Sequence, residues 1–160
     1  MTKSEQPLVR DLMTAEPRTC RSHDSGEHCA RLMWEHACGA IVVLDDGGTP
    51  VSMITDRDLC MAAWTQGKKL AEIVVGSAMS ERLLTTRQGE TVASAEAKMR
   101  RYGVRRLVVL DARGGLVGVL SFDDVARRAN VGPIGIHDHA LSAEVIASTV
   151  SALAHAMKDA

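Results

Sequence analysis

Two short stretches of the chain are apolar at every position, residues 40–44 and residues 107–110. Both are rich in β-branched side chains and too short for a helix, so each predicts a strand buried on both faces. A turn sequence follows each, Asp45-Asp46-Gly47-Gly48 and Asp111-Ala112-Arg113-Gly114-Gly115. Second strands are expected over 51–54 and 116–120, and helices starting at Thr55 and Ser121. Ahead of each apolar run the period is helical. Cys29, Leu32, Met33 and His36 recur at that spacing in one place, and Val92, Ala95 and Met99 in the other. Opening segments over 9–13 and 75–79, then extended stretches around Thr19 and Thr85, complete a β-α-β-β-α unit that occurs twice.

The duplication is explicit when the chain is slid over itself by 66 positions. Met13 falls on Met79, Thr19 on Thr85, Arg21 on Arg87, Met33 on Met99 and Asp58 on Asp124. The run Val42-Val43-Leu44-Asp45 falls on Val108-Val109-Leu110-Asp111, and Thr55 on Ser121, without a gap. The expected fold is therefore mixed α/β (α+β), made of tandem repeats over 8–66 and 74–130. Neither repeat can bury both faces of its sheet alone, so the two are expected to pack on each other. Residues 131–160 hold a breaker-rich linker, Val131-Gly132-Pro133-Ile134-Gly135. One amphipathic C-terminal helix is expected over 141–157, from Leu141, Val145, Ile146, Val150, Leu153 and Met157.

Composition narrows the function classes. The chain has 160 residues, enough to bury roughly 70% of its unfolded surface without a disulfide or metal. Two Trp, one Tyr and one Phe leave the core to aliphatic residues and few platforms on which bases can stack. A formal charge of −1 offers no basic excess for a nucleic acid. No apolar stretch is long enough for a membrane span, and no signal-peptide core opens the chain, so a cytoplasmic protein is expected. The four cysteines, Cys20, Cys29, Cys38 and Cys60, all lie in the first repeat and form no CxxC pair. Buried free thiols are the plain reading, and a redox-responsive pair stays open. His137-Asp138-His139 has no partner cluster and is not read as a metal site.

The sharpest motifs are Ser52-Met53-Ile54-Thr55-Asp56-Arg57-Asp58 and Gly118-Val119-Leu120-Ser121-Phe122-Asp123-Asp124. Each sets a hydroxyl at a strand end and an acid three residues later. That spacing is a helix capping box. It also suits a nucleotide, with phosphate at the helix N-terminus and a ribose diol on the carboxylate. No nucleophile–base pair, metal cluster or Walker-type loop supports an enzyme.

With Asp11-Leu12-Met13-Thr14, Ile54-Thr55-Asp56-Arg57-Asp58-Leu59, Ala78-Met79-Ser80 and Val104-Arg105-Arg106-Leu107-Val108-Val109-Leu110-Asp111, the chain resembles a CBS domain pair over residues 8–130. The resemblance implies a pseudo-twofold regulatory module whose clefts hold AMP, ADP, ATP or S-adenosylmethionine. It places nucleotide-binding roles on Gly118, Ser121, Asp124, Arg105, Arg106 and Thr85. A second, weaker set is Thr55, Asp58, Arg57 and Thr19, because Ser52 replaces the motif glycine and Gly39-Ala40 replaces the arginine pair. The expected partners are an adenine nucleotide, a second copy in a homodimer built through Trp34 and Trp64, and an unnamed regulated protein. The alternatives are a dimeric adaptor without a nucleotide, or a sensor of S-adenosylmethionine or NAD.

Overall fold

The computed structural model describes residues 6–130. The linker, His137-Asp138-His139 and the C-terminal helix expected over 141–157 lie outside the described residues. The chain divides into two compact units. One, the N unit, comprises Glu16–Leu84; the other, the C unit, takes the residues up to Ala15 and those from Thr85 on.

The chain opens with a one-turn helix α1 (Val9–Leu12) and a two-residue strand β1 (Thr14–Ala15), both built into the C unit. The N unit follows with β2 (Thr19–Arg21), α2 (Gly26–Glu35), β3 (Ala40–Leu44), β4 (Pro50–Thr55) and α3 (Asp56–Gln66). Two 3₁₀ turns, Leu70–Glu72 and Val75–Ser77, close it. The C unit continues with β5 (Thr85–Arg87), α4 (Val92–Tyr102), β6 (Arg106–Leu110), β7 (Leu116–Ser121) and α5 (Phe122–Asn130).

The two copies agree in register down to their irregularities. In the N unit β2 runs parallel to β3, with Thr19 opposite Val42, and β3 runs antiparallel to β4, with Ala40 opposite Thr55. In the C unit Thr85 lies opposite Val108 and Arg106 opposite Ser121. The ladder slips once in each hairpin, between Val43 and Leu44 and between Val109 and Leu110. Those positions correspond at the offset of 66. Helix starts match too: Ser25 Oγ accepts from the His28 N–H and Thr91 Oγ1 from the Ser94 N–H, satisfying a free donor in each first turn.

The packing assigns the opening segments differently from their order in sequence. Within the C unit the Val9 N–H donates to the Glu90 carbonyl, and β1 pairs antiparallel with β7. Within the N unit the corresponding Val75 N–H donates to the Asp24 carbonyl, and the Ser80 N–H to the Met53 carbonyl. Each repeat's opening segment thus completes the unit built from the other repeat's sheet. The ranges 8–66 and 74–130 divide the chain by repeat, and residues 9–15 and 75–80 are the parts that space divides otherwise.

Both cores are aliphatic, as composition requires. Met33, Ile41, Val43, Ile54, Leu59 and Val75, with Cys20 and Cys29, form the N-unit cluster. Val92, Ala95 and Met99, read from helical spacing, are wholly buried in the C unit. His36, expected on the corresponding face of α2, is instead exposed, because the helix ends at Glu35 and His36 is its C-cap.

The ends of α2 and α4 differ in one instructive residue. Gly103 terminates α4 with φ +64°, the left-handed conformation that glycine adopts without a Cβ penalty. At the equivalent position after α2 stands Ala37, held at φ +49°. Left-handed backbone costs a residue with a side chain roughly 1 kcal/mol. Ala37→Gly is therefore expected to stabilise the N unit by up to about 1 kcal/mol, read as a raised urea midpoint with unchanged slope. An unchanged or lowered midpoint would refute the strain at Ala37.

Candidate functional site

In the C unit, β6 and β7 bring the sequence-selected residues together. Arg106 and Ser121 face each other across the antiparallel ladder, and the Phe122 N–H donates to the Arg105 carbonyl. Ser121 ends the strand and Asp124 sits in the first turn of α5. The Ser121 hydroxyl donates to Asp124 Oδ2 at 2.6 Å and its N–H donates to the same oxygen at 2.9 Å. The Asp124 N–H returns a bond to Ser121 Oγ at 3.2 Å. The reciprocal box predicted from spacing is formed, so the capping role is real here. The other carboxylate oxygen, Oδ1, accepts from the Arg127 guanidinium one helical turn on. Asp124 is largely buried while Arg127 projects into solvent.

Arg105 pairs with Asp123 at 3.5 Å, both side chains more than half exposed. Such a pair contributes little and is readily broken. Arg106 is half-buried and forms no ion pair among the described residues. Thr85 starts β5, the neighbour of β6, and is half-buried. An unpaired guanidinium, a strand-end hydroxyl and a helix N-terminus therefore gather at one end of the C-unit sheet. That set can bind an anion, and the adjacent carboxylate can accept from hydroxyl groups.

The N unit repeats the box. The Thr55 N–H and hydroxyl donate to Asp58 Oδ2 at 2.8 and 2.7 Å, and the Asp58 N–H donates to Thr55 Oγ1 at 3.2 Å. Its surroundings differ. Ala40, opposite Thr55, carries no charge, and Met61 occupies the position that Arg127 holds in the other copy. Arg57 is exposed, its N–H bonded to Asp56 Oδ1, and Thr19 lies on β2 opposite Val42. All the cationic groups of the arrangement lie in the C unit or, as Arg57, on the N unit's surface.

The motif glycine has a structural cause. A Cβ at Gly118 would lie 2.7 Å from the Met13 sulfur and 2.9 Å from the Thr14 carbonyl oxygen. The close neighbour is β1, which pairs Ala15 with Gly118. In the N unit the same place holds Ser52, buried, its hydroxyl donating to the Ser80 carbonyl. Ser80 corresponds to Thr14, and no strand pairing forms there. The serine is thus accommodated with its hydroxyl bonded to the opening segment, whose Ser80 N–H also donates to the Met53 carbonyl.

Sequence reasoning did not find Arg127 or Asp123. The Asp124–Arg127 spacing of three on a helix was the available signal. Among the described residues, no cluster of three or more His, Cys, Asp or Glu is placed to hold a metal. No helix among them is long and apolar enough to cross a membrane.

The comparisons with known proteins agree with this geometry. The CBS domain family model matches residues 9–64 and 75–130. The chain is 30% identical over 118 residues to the CBS domain-containing protein YhcV of Bacillus subtilis, covering 74% of this chain and 82% of that one. It is 30% identical over 116 residues to MK0525 of Methanopyrus kandleri, covering 72% of this chain and 57% of the relative. It is 28% identical over 124 residues to L-aspartate semialdehyde sulfurtransferase of Methanosarcina acetivorans, covering 76% of this chain but only 23% of that enzyme. Two solved structures are similar. One is the CBS domain pair of protein MJ0100 in complex with 5'-methylthioadenosine and S-adenosyl-L-methionine, with TM-score 0.70, 26% identity, and coverage of 78% of this chain and 96% of that chain. The other is CBSX2 in complex with AMP, with TM-score 0.66, 28% identity and the same two coverages, 78% and 96%. Two matched repeats, the shared register and these relatives together place the chain in the CBS domain family, as a tandem pair.

Proposed function

We propose that this protein is a ligand-sensing regulatory module rather than an enzyme, and that it binds an adenine nucleotide of the AMP, ADP or ATP class through the C unit. The observation that carries this reading is Arg106, an unpaired guanidinium, set opposite the Ser121–Asp124 box at the start of α5. Asp124 accepts from the ribose hydroxyls, while Ser121 and Arg105 or Arg106 meet phosphate. The adenine rests on aliphatic side chains near Thr85 and Val104. Gly118 supports the set from beneath by admitting β1. The weaker N-unit set is Thr55, Asp58, Arg57 and Thr19. That MJ0100 and CBSX2 were solved with adenosyl ligands supports the ligand class. A ligand regulates only through unequal affinity for two states of the module or its partner.

Calorimetric titration with AMP, ATP, NAD and S-adenosylmethionine tests the reading. Binding of an adenine nucleotide at micromolar to sub-millimolar concentration is expected. Absence of binding at millimolar concentration would replace it with the adaptor reading, and preference for S-adenosylmethionine or NAD would reassign the ligand. The module is expected to act in the cytoplasm, without nucleic acid or membrane.

A homodimer is the second part of the proposal. Trp34 on α2 is 88% exposed and Trp64 on α3 77% exposed, with Met61 exposed to a lesser degree. These two helices pack against each other in the N unit. Large aromatic side chains left in water are the anchors that protein interfaces bury. Sedimentation at tens of micromolar is expected to show a dimer, and Trp34→Ala with Trp64→Ala to shift it to monomer. A wild-type monomer with or without nucleotide would refute this.

A further inference from the structure

The two repeats carry opposite chemistry on equivalent helix faces. Glu27, Arg31, Trp34 and Glu35 form one exposed stripe along α2, at helical spacing. The positions 66 residues on, along α4, are Ala93, Ala97, Arg100 and Arg101. Arg100 is half-buried and the other three are exposed. The Arg101 guanidinium lies over the Tyr102 ring, 5.4 Å from its centroid, which keeps the charge at the surface. The second helix of each unit differs in the same sense. α3 exposes Cys60, Met61 and Trp64, whereas α5 has Ala126 and Arg127 where Cys60 and Met61 stand. One face is thus bulky and bears two acids, and the other is floored by alanine and bears arginines. Charge divides the whole units likewise. The N unit has seven Lys and Arg against ten Asp and Glu, a formal −3, and the described C unit has ten against six, +4.

We propose that two copies of this chain pair head to tail, the α2–α3 face of one docking on the α4–α5 face of the other, with the reciprocal contact closing the dimer. The proposal rests on the homodimer reading above and adds its orientation. A twofold pair that uses both faces either opposes like with like or exchanges them. Like on like brings Arg100 and Arg101 of one copy towards the same arginines of the other, a like-charge contact that disfavours that pairing. Exchange sets Glu27 and Glu35 against the partner's Arg100 and Arg101. It also gives the Trp34 and Trp64 rings a floor of small side chains, Ala97 and Ala126, with Arg100 and Arg127 beside it to lie on the indole faces as cation–π partners. Tryptophan and arginine are the side chains that most often anchor an interface. The opposite formal charges of the two units favour the same orientation during encounter.

The test uses the full chain. Sedimentation over a range of concentrations compares the parent with Glu35→Arg, Arg101→Glu and the two together, all at exposed positions where folding is not at stake. Each single change turns an attraction into a repulsion at both reciprocal contacts and is expected to weaken the dimer roughly fivefold to tenfold. The combined change exchanges the signs and should recover most of that loss. Like-on-like pairing predicts near-neutral single changes and no recovery. Cross-linking with a short bismaleimide reads the orientation directly. Cys60 is exposed and Cys20 and Cys29 are buried, so Cys38→Ala leaves Cys60 as the reactive thiol. Adding Ala126→Cys is expected to produce a covalent dimer whose mapped peptides join Cys60 of one chain to position 126 of the other. A dimer linked from Cys60 to Cys60, or single charge changes without effect, overturns the orientation and leaves the homodimer standing. A parent that sediments only as monomer overturns both.

Discussion

Replacing Asp124 with Ala is expected to weaken adenine-nucleotide binding roughly 30-fold or more, because two hydrogen bonds to a charged acceptor, worth roughly 2–4 kcal/mol, are lost. The structure sharpens what else the change does. Asp124 Oδ2 already accepts from the Ser121 N–H and hydroxyl, so the variant also loses a helix cap. Unliganded stability should fall by about 1 kcal/mol. Calorimetry and thermal unfolding, run on the same samples, separate the two effects. Arg127 holds Oδ1, the oxygen a ribose diol needs, but its side chain is mostly solvated, so the ion pair is a weak competitor. Arg127→Ala should leave nucleotide affinity equal or slightly higher. Affinity unchanged in Asp124→Ala would reduce Asp124 to a cap alone.

The same comparison made at Asp58 tests the choice between the two copies. Its box is equally well formed, yet Ala40 and Met61 stand where the C unit carries Arg106 and Arg127. Asp58→Ala should therefore cost a similar amount of stability and much less affinity than Asp124→Ala. The reverse order would move the site to the N unit.

What could be read from the sequence was whatever local pattern encodes. The apolar runs at 40–44 and 107–110 became the central strands β3 and β6, and the [Ser/Thr]-x-x-Asp spacing became two formed boxes. The strand β1 was not readable, since two exposed residues carry no period. Nor was the exchange of opening segments, which rests on backbone bonds such as Val9 to Glu90 that are far apart in sequence. A 66-residue offset reports that two segments are alike, not which sheet each one joins. The burial of Glu96 on α4 was equally silent, because a lone acid at helical spacing reads as a solvated face.

Gly118 shows how this distinction alters a functional argument, and it carries the largest expected effect on stability. In sequence it reads as the glycine of a nucleotide motif, a place for close approach by a ligand. In the structure the approaching group is the chain itself, the Met13 side chain and the Thr14 carbonyl. A backbone oxygen held in a strand ladder cannot rotate away, so a side chain at 118 must push β1 off β7. Gly118→Val is expected to destabilise the protein by about 3 kcal/mol through overpacking. For a domain of this size that lowers the melting temperature by roughly 10 °C. The reciprocal change, Ser52→Gly, removes the buried hydroxyl that donates to the Ser80 carbonyl, along with its packing, and should cost about 1 kcal/mol. If Gly118→Val instead melts like the parent while losing nucleotide affinity, the glycine serves the ligand and not the strand. A variant that melts lower than the parent, binds nucleotide as tightly once folded, and regains stability when nucleotide is added in excess is the outcome the packing argument requires.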